Sequence, residues 1–191
     1  MLVFVIVYLV FAVIVNMIWA RQLNKQIFAV VDILERDKDP DRYLQEMERL
    51  TGALKSGTGL QIYYINMAVG YMAKDDYETA LRYMQQIPSV PGGSNRVIYW
   101  MDLAYCYFHM EKTEEAMEIM RRQKKVFQEK EQNPEADHIL CLLYELYIFE
   151  NSSTGNREEA MRYYEKALPL WEKRNRDEDR AYMLKVIHGE S

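Results

Sequence analysis

The sequence predicts an all-α fold in which an N-terminal transmembrane helix precedes an α-α superhelical array of paired helices. Three observations support this prediction: aromatic and small residues recur 36 positions apart, residues 2–20 form one apolar run, and no segment alternates apolar and polar residues as a half-buried strand does. We expect residues 1–20 to be the anchor, 21–175 three to four helix pairs, and 176–191 a capping helix with a tail.

The apolar run at residues 2–20 has the length of a membrane span. As a helix it would extend roughly 28 Å, about the thickness of a bilayer's hydrocarbon core. Asn16 is its only clearly polar side chain, and Trp19 stands at the downstream end, where an indole prefers the membrane interface. We therefore expect an uncleaved anchor. A cleaved signal peptide would need a basic start and a small-x-small cleavage site, which the bulky Ile18 disfavours, and a buried core helix is the third interpretation.

Basic residues follow the span and none precedes it. They are Arg21, Lys25, Arg36 and Lys38. Basic residues next to a span favour the cytoplasmic side, so we expect the repeat domain to face the cytoplasm. The small size of the chain favours a bacterial plasma membrane over a mitochondrial one.

The rest of the chain is predicted as successive helices. Asp39-Pro40 and Asn133-Pro134 each offer an N-cap residue followed by proline at the first helical position. Turn-forming residues at 56–59, 88–94 and 151–156 predict breaks. The expected helices are 21–37, 40–55, 60–73, 76–87, 96–110, 113–131, 135–150, 156–173 and 177–188.

The recurring residues define two clear units and part of a third. The first set is Tyr64, Met67, Ala68, Tyr71, Tyr77, Ala80 and Met84; the second, 36 residues later, is Trp100, Leu103, Ala104, Tyr107, Thr113, Ala116 and Met120. The third unit ends with Ala160, Tyr164, Ala167 and Leu168. Small residues are expected where the two helices of a unit approach most closely, because a larger side chain would hold them apart.

Over residues 27–173 this pattern resembles the tetratricopeptide family, whose repeat is a helix pair. Residues 27–55 resemble a degenerate leading unit, since Tyr43 aligns with Tyr77 but Glu46 replaces the small alanine. The loop inside the third unit is expected to be about four residues longer than in the family. In the capping helix Tyr182, Met183, Val186 and Ile187 are expected to face inward.

The resemblance also implies a binding surface, because the first helices of tetratricopeptide units line a concave groove. The corresponding residues are Ile62, Ile65, Val69, Met72, Ile98, Met101, Tyr105 and Phe108. All eight are apolar or aromatic, which suits an amphipathic partner helix or peptide. The Lys and Asn residues that some family members use to clamp a carboxylate are missing. The alternative is that the chain fills its own groove with residues 21–37 or the C-terminal helix.

No reactive constellation is predicted, and we expect no cofactor, no metal and no enzyme activity. The net charge of −5 gives no footprint for nucleic acid. Cys106, His109, His138 and Cys141 have the ligand types of a zinc site, but their positions along adjacent parallel helices differ by roughly 7–15 Å. The basic run at residues 121–125 is interpreted as a solvated face, with anionic lipid headgroups as the alternative contact.

These expectations together predict a membrane-anchored adaptor or assembly factor that binds a protein partner. The alternative is a permanent structural subunit of a larger membrane complex. The partner itself is not identified by the sequence.

Overall fold

The computed structural model describes residue 18 and residues 21–54, 57–134 and 136–190, and every regular element within them is a helix. The chain forms α1 (residues 21–32), which continues into a π-helical turn (Ile33–Asp37), and then α2 (Pro40–Thr51), α3 (Gly57–Met72), α4 (Tyr77–Gln85), α5 (Ser94–His109), α6 (Thr113–Gln132), α7 (Asp137–Ser153), α8 (Arg157–Lys173) and α9 (Asp177–His188). The predicted all-α fold is confirmed for these residues.

The predicted anchor, residues 2–20, lies outside the described residues except for Ile18. Among the helices that are described, none combines the length and the apolar character needed to cross a bilayer.

The turn inside each helix pair is the same in all three clear units. A residue in the left-handed conformation follows the first helix: Asp75 (φ 57°), Glu111 (φ 59°) and Gly155 (φ 76°). The next amide N–H then donates to a carbonyl five residues earlier, over 3.0 Å to Tyr71, 2.9 Å to Tyr107 and 2.8 Å to Asn151. This bond closes the end of the first helix as in a Schellman motif. The repetition places Asn151 in the third unit where Tyr107 stands in the second.

The predicted long loop in the third unit is wrong. Residues 154–156 alone separate α7 from α8, as residues 110–112 separate α5 from α6. The helix continues past the expected break, and within it Asn151 donates to the carbonyl of Tyr147 and Ser153 to that of Phe149, both at 2.7 Å. Polar side chains that bond back to the preceding turn are compatible with a helix. The extra length of the repeat lies in α6, which has 20 residues against nine in α4.

The small residues lie where the helices of a unit meet. Ala68 and Ala80 in the first clear unit, and Ala104 and Ala116 in the second, have no solvent-accessible surface. Neighbouring units share one hydrophobic core that continues from α3 to α9. The expected close approach at the alanines is confirmed, and the units bury their apolar faces against each other as a stacked array requires.

The leading unit obtains its close contact from a different residue. Tyr43 and Met47 of α2 are fully buried although Glu46 stands at the alanine position. The small residue is Gly70 on the facing α3: a Cβ atom there would lie 2.8 Å from Tyr43 Cδ1 and 2.8 Å from Leu44 Cγ. The two helices therefore pack closely because α3, and not α2, carries the small side chain.

The capping helix α9 turns Met183 and Ile187 inward, as expected. The inward orientation expected for Tyr182 is wrong, because 40% of its surface is exposed. Its ring stacks instead on the His109 ring of α5, with centroids 5.2 Å apart. The side chain therefore reaches along the array rather than into the core beneath α9.

Candidate interaction surface

The eight predicted groove residues lie on α3 and α5, but none of them is exposed. Ile65, Met101, Tyr105 and Phe108 are buried, and Met101 retains only 1% of its surface. The other four, Ile62, Val69, Met72 and Ile98, are half-buried. The accessible part of the row is therefore smaller than the apolar pattern of the sequence indicates.

Aromatic rings from the following unit cover the α5 part of the row. Phe149 of α7 stacks on Phe108 with centroids 5.0 Å apart and rings 8° from parallel. It also meets the edge of Tyr105 at 6.1 Å. At the end of α5 the His109 ring lies between Tyr77, 4.2 Å away, and Tyr182 of the capping helix. Burial lowers the pKa of His109 to about 4, so its ring is neutral at physiological pH.

The N-terminal segment also contacts the array. Val30 and Ile33 form a second core cluster with residues of α2 and α3, and Val69 packs against this cluster. Arg36 borders a cavity of about 460 Å³ that is also lined by Asp137 of α7 and by residues 173–175. The end of the N-terminal segment therefore lies beside the third helix pair. Both segments that we considered as internal fillers, residues 21–37 and α9, pack against the array.

A buried polar network joins the third unit to the capping helix. The Glu145 carboxylate, fully buried in α7, accepts a hydrogen bond from Trp171 Nε1 at 2.8 Å and pairs with Arg176 Nη1 at 3.1 Å. Arg176 also donates to Asp179 at 2.7 Å. Burial raises the pKa of Glu145, and the Arg176 guanidinium lowers it in part. The network holds α9 against α7 and α8.

A second buried carboxylate, Asp102 of α5, has no such support. It is 2% exposed, and its Oδ2 atom has no hydrogen-bond partner among the described residues. Burial alone raises its pKa to about 7. Our sequence analysis missed both Asp102 and Glu145. The available signal was a lone acid inside an otherwise apolar helical run, since such a residue is almost never fully buried without a structural or functional reason.

Two stretches of the helix pairs match a known helical repeat. Residues 97–128 and 150–170 match the tetratricopeptide repeat family. The first match covers most of α5 and of α6, and the second covers the end of α7 and most of α8. The matches support a tetratricopeptide family for this chain, and tetratricopeptide repeats typically serve as non-enzymatic scaffolds for protein–protein interaction. No curated protein and no solved structure matches the chain.

The two thiols that were weighed as zinc ligands lie in the interior of the helix pairs. Cys106 and Cys141 are both buried free thiols. Burial raises the pKa of Cys106 well above its usual range and that of Cys141 to about 11, which disfavours the thiolate that a metal requires. Within the described part of the chain no group of three or more potential ligands comes together.

Proposed function

We propose that this chain is a membrane-anchored scaffold that binds a protein partner through the first helices of its tetratricopeptide units. The observation that carries the proposal is the repetition of one helix-pair geometry, with the same turn and the same buried alanines in successive units. Stacked pairs of this kind build an extended surface that can hold another protein without any reactive residue.

The proposed contact surface is the accessible part of the predicted row. Ile62, Val69, Met72 and Ile98 are half-buried and apolar, so a partner that covers them gains hydrophobic burial at little cost in polar desolvation. The buried residues of the row, such as Met101, belong to the hydrophobic core beneath this surface. An amphipathic helix that lays its apolar face along α3 and α5 is the partner that suits a continuous apolar row.

The anchor is proposed from residues 2–20 of the sequence. Attachment to a membrane raises the effective concentration of the scaffold for any partner on the same surface. Arg21 and Lys25 are exposed on α1 and would lie at the cytoplasmic headgroups. The proposal is therefore that the repeat domain faces the cytoplasm of a bacterial cell.

The anchor is tested in the full-length protein by placing charges in the apolar run. Leu9→Arg with Val13→Arg should release the chain from membranes into the carbonate-soluble fraction, because arginine is strongly disfavoured at the centre of a span. The matched control is Gln22→Arg with Gln26→Arg on exposed positions of α1, which should stay with the membrane. Protease added to sealed right-side-out cells should spare the repeat domain, and digestion there would contradict the proposed orientation.

The contact surface is tested with a photo-crosslinking residue at Ile98 in the full-length protein. A crosslinked partner should appear there and be absent when the same residue replaces the exposed Glu165 on α8. Met72→Glu, at a half-buried position, should abolish the crosslink while leaving the helical circular dichroism and melting temperature unchanged. If the crosslink persists in Met72→Glu, the partner does not bind along this row.

A permanent subunit of a larger membrane complex is the second candidate. It is favoured by the exposed apolar side chain of Phe28 on α1, of which 66% is accessible. A chain without residues 1–20 separates the two functions: a stand-alone scaffold should be monomeric in solution, whereas a permanent subunit should aggregate through the surface that its complex normally covers.

A further inference from the structure

A cavity of about 490 Å³ opens between α5 and α6 in the second helix pair. It combines an apolar and aromatic lining from both helices with carboxylates from the first turns of α6. The lining residues are Trp100, Leu103, Tyr107, Ile119, Glu114, Glu115 and Glu118. The row of predicted groove residues contributes nothing to this lining, so the cavity is a separate surface feature.

At the equivalent position the helix pairs α3–α4 and α7–α8 each carry a tyrosine that packs on another tyrosine ring. Tyr83 stands 36 residues before Ile119 and stacks on Tyr71 with centroids 5.3 Å apart. Tyr163 stands 44 residues after Ile119 and lies 4.6 Å from Tyr147. Of these three helix pairs, only α5–α6 has an aliphatic residue at this position, and that residue, Ile119, lines the cavity.

The third unit also places a cation over the aromatic ring that corresponds to Trp100. That ring is Tyr144, and the ammonium of Lys166 lies 5.6 Å from its centroid and 4.8 Å from that of Tyr163. The residue of the second unit that corresponds to Lys166 is Arg122, which is exposed and pairs with Glu118 instead. Among the described residues no cation lies over the Trp100 ring.

We propose that this cavity binds an arginine side chain of a protein partner. The guanidinium would stack on Trp100, the best aromatic partner for a cation, and would face carboxylates that neutralise it. Glu114 and Glu115 make no ion pair with another described residue, so both are available. Arginine fits better than lysine because its planar guanidinium stacks and bonds at the same time. The inference rests on the proposed protein-binding role but not on the groove.

The probe is an acetylated decapeptide of alternating glycine and arginine, compared with the same peptide carrying neutral citrulline. Full-length protein labelled with 5-fluorotryptophan reports binding through the fluorine resonances of its three tryptophans. The arginine peptide should shift the Trp100 resonance and leave that of the buried Trp171 in place. The citrulline peptide should leave all resonances in place.

Ile119→Tyr is the decisive variant, because tyrosine at this position is already accommodated in the other two units. It should fill the cavity, keep the melting temperature and weaken peptide binding about fivefold or more. Glu114→Gln with Glu115→Gln should weaken binding to a similar extent. The charge-matched control is Glu165→Gln with Glu172→Gln at exposed positions of α8, which should not weaken it.

Several results would overturn the proposal: an unmoved Trp100 resonance, equal binding of the citrulline peptide, or full binding by Ile119→Tyr. A Trp100 shift that follows protein concentration and not peptide would also overturn it, since the occupant would then be a second copy of the chain. Failure of the proposed groove is distinguishable from failure of this proposal: the crosslink at Ile98 would then persist in Met72→Glu, while the arginine peptide would still shift the Trp100 resonance.

Discussion

Replacement of Asp102 by asparagine should remove a pH-dependent loss of stability. The carboxyl group of Asp102 is 2% exposed, and burial raises its pKa from 3.8 to about 7 in the folded chain. Between these two pH values the unfolded chain releases the proton while the folded chain retains it. The folded state is therefore destabilised progressively as the pH rises through this window, and the effect is complete above about pH 7.

The size of this effect follows from the shift in pKa. One unit corresponds to about 1.4 kcal/mol, so the ionised Asp102 costs the folded state at most about 4 kcal/mol at pH 7.5. That is a large share of a small domain's stability. Asparagine has nearly the same shape and does not ionise, although its amide also has to be buried. Near pH 4 the unfolding free energies of the variant and the parent should consequently differ only by a constant offset. As the pH rises, the variant should become progressively more stable than the parent.

The measurement is urea denaturation of the full-length parent and Asp102→Asn at pH 4.5, 5.5, 6.5 and 7.5. The difference in unfolding free energy should increase by about 1 kcal/mol per pH unit and level off above pH 7. Glu165→Gln, which removes an exposed carboxylate from α8, controls for the loss of one negative charge. A difference that stays constant over the whole range would refute the reasoning, because it would mean that Asp102 is ionised or solvated in the folded state.

Three further predictions test the packing. Ala116→Leu should cost about 1–3 kcal/mol by overpacking a position with no accessible surface, and a variant that melts like the parent would show that the repeat register is wrong. Gly70→Ala should cost about as much, because its Cβ would meet α2, whereas Gly92→Ala meets nothing within 4 Å and should be neutral in the same thermal melts. Arg176→Met should cost about 3–5 kcal/mol by leaving a buried carboxylate unpaired, and adding Glu145→Leu should restore part of that loss in urea denaturation; no restoration would mean that the pair is not coupled.

The helices and their register could be predicted because they depend on local and repeated features. The predicted cap Asp39 accepts a hydrogen bond from the backbone N–H of Arg42 in the first turn of α2. The second predicted cap is wrong: Asn133 ends α6, and α7 begins at Asp137. The 36-residue spacing predicted the positions of the alanines, which are buried in the structure. The spacing led to a wrong loop length in the third unit, because the added residues lie in α6. The number of residues between two repeats does not show which helix is longer.

Burial of the predicted groove could not be read from the sequence in the same way. An apolar row on a first helix is required both by a surface that receives a partner and by a surface that packs on the next unit. Phe149 and Tyr182 decide between these for Phe108 and His109, and their positions depend on how the units are rotated relative to one another. That rotation depends on many contacts along α7 and α9, and it produces no periodic pattern in the sequence.

Differences between repeats are therefore more informative about binding than the residues the repeats share. Shared positions such as Ala80 and Ala116 are fully buried, because the contact between the helices of each unit needs them. Ile119 differs from Tyr83 and Tyr163, the tyrosines at the equivalent positions of the neighbouring units, which pack on other tyrosine rings. The second unit instead has an open space beside Trp100 with carboxylates around it. We therefore expect contact with another molecule at such a place, where one repeat lacks the large side chain that its neighbours carry.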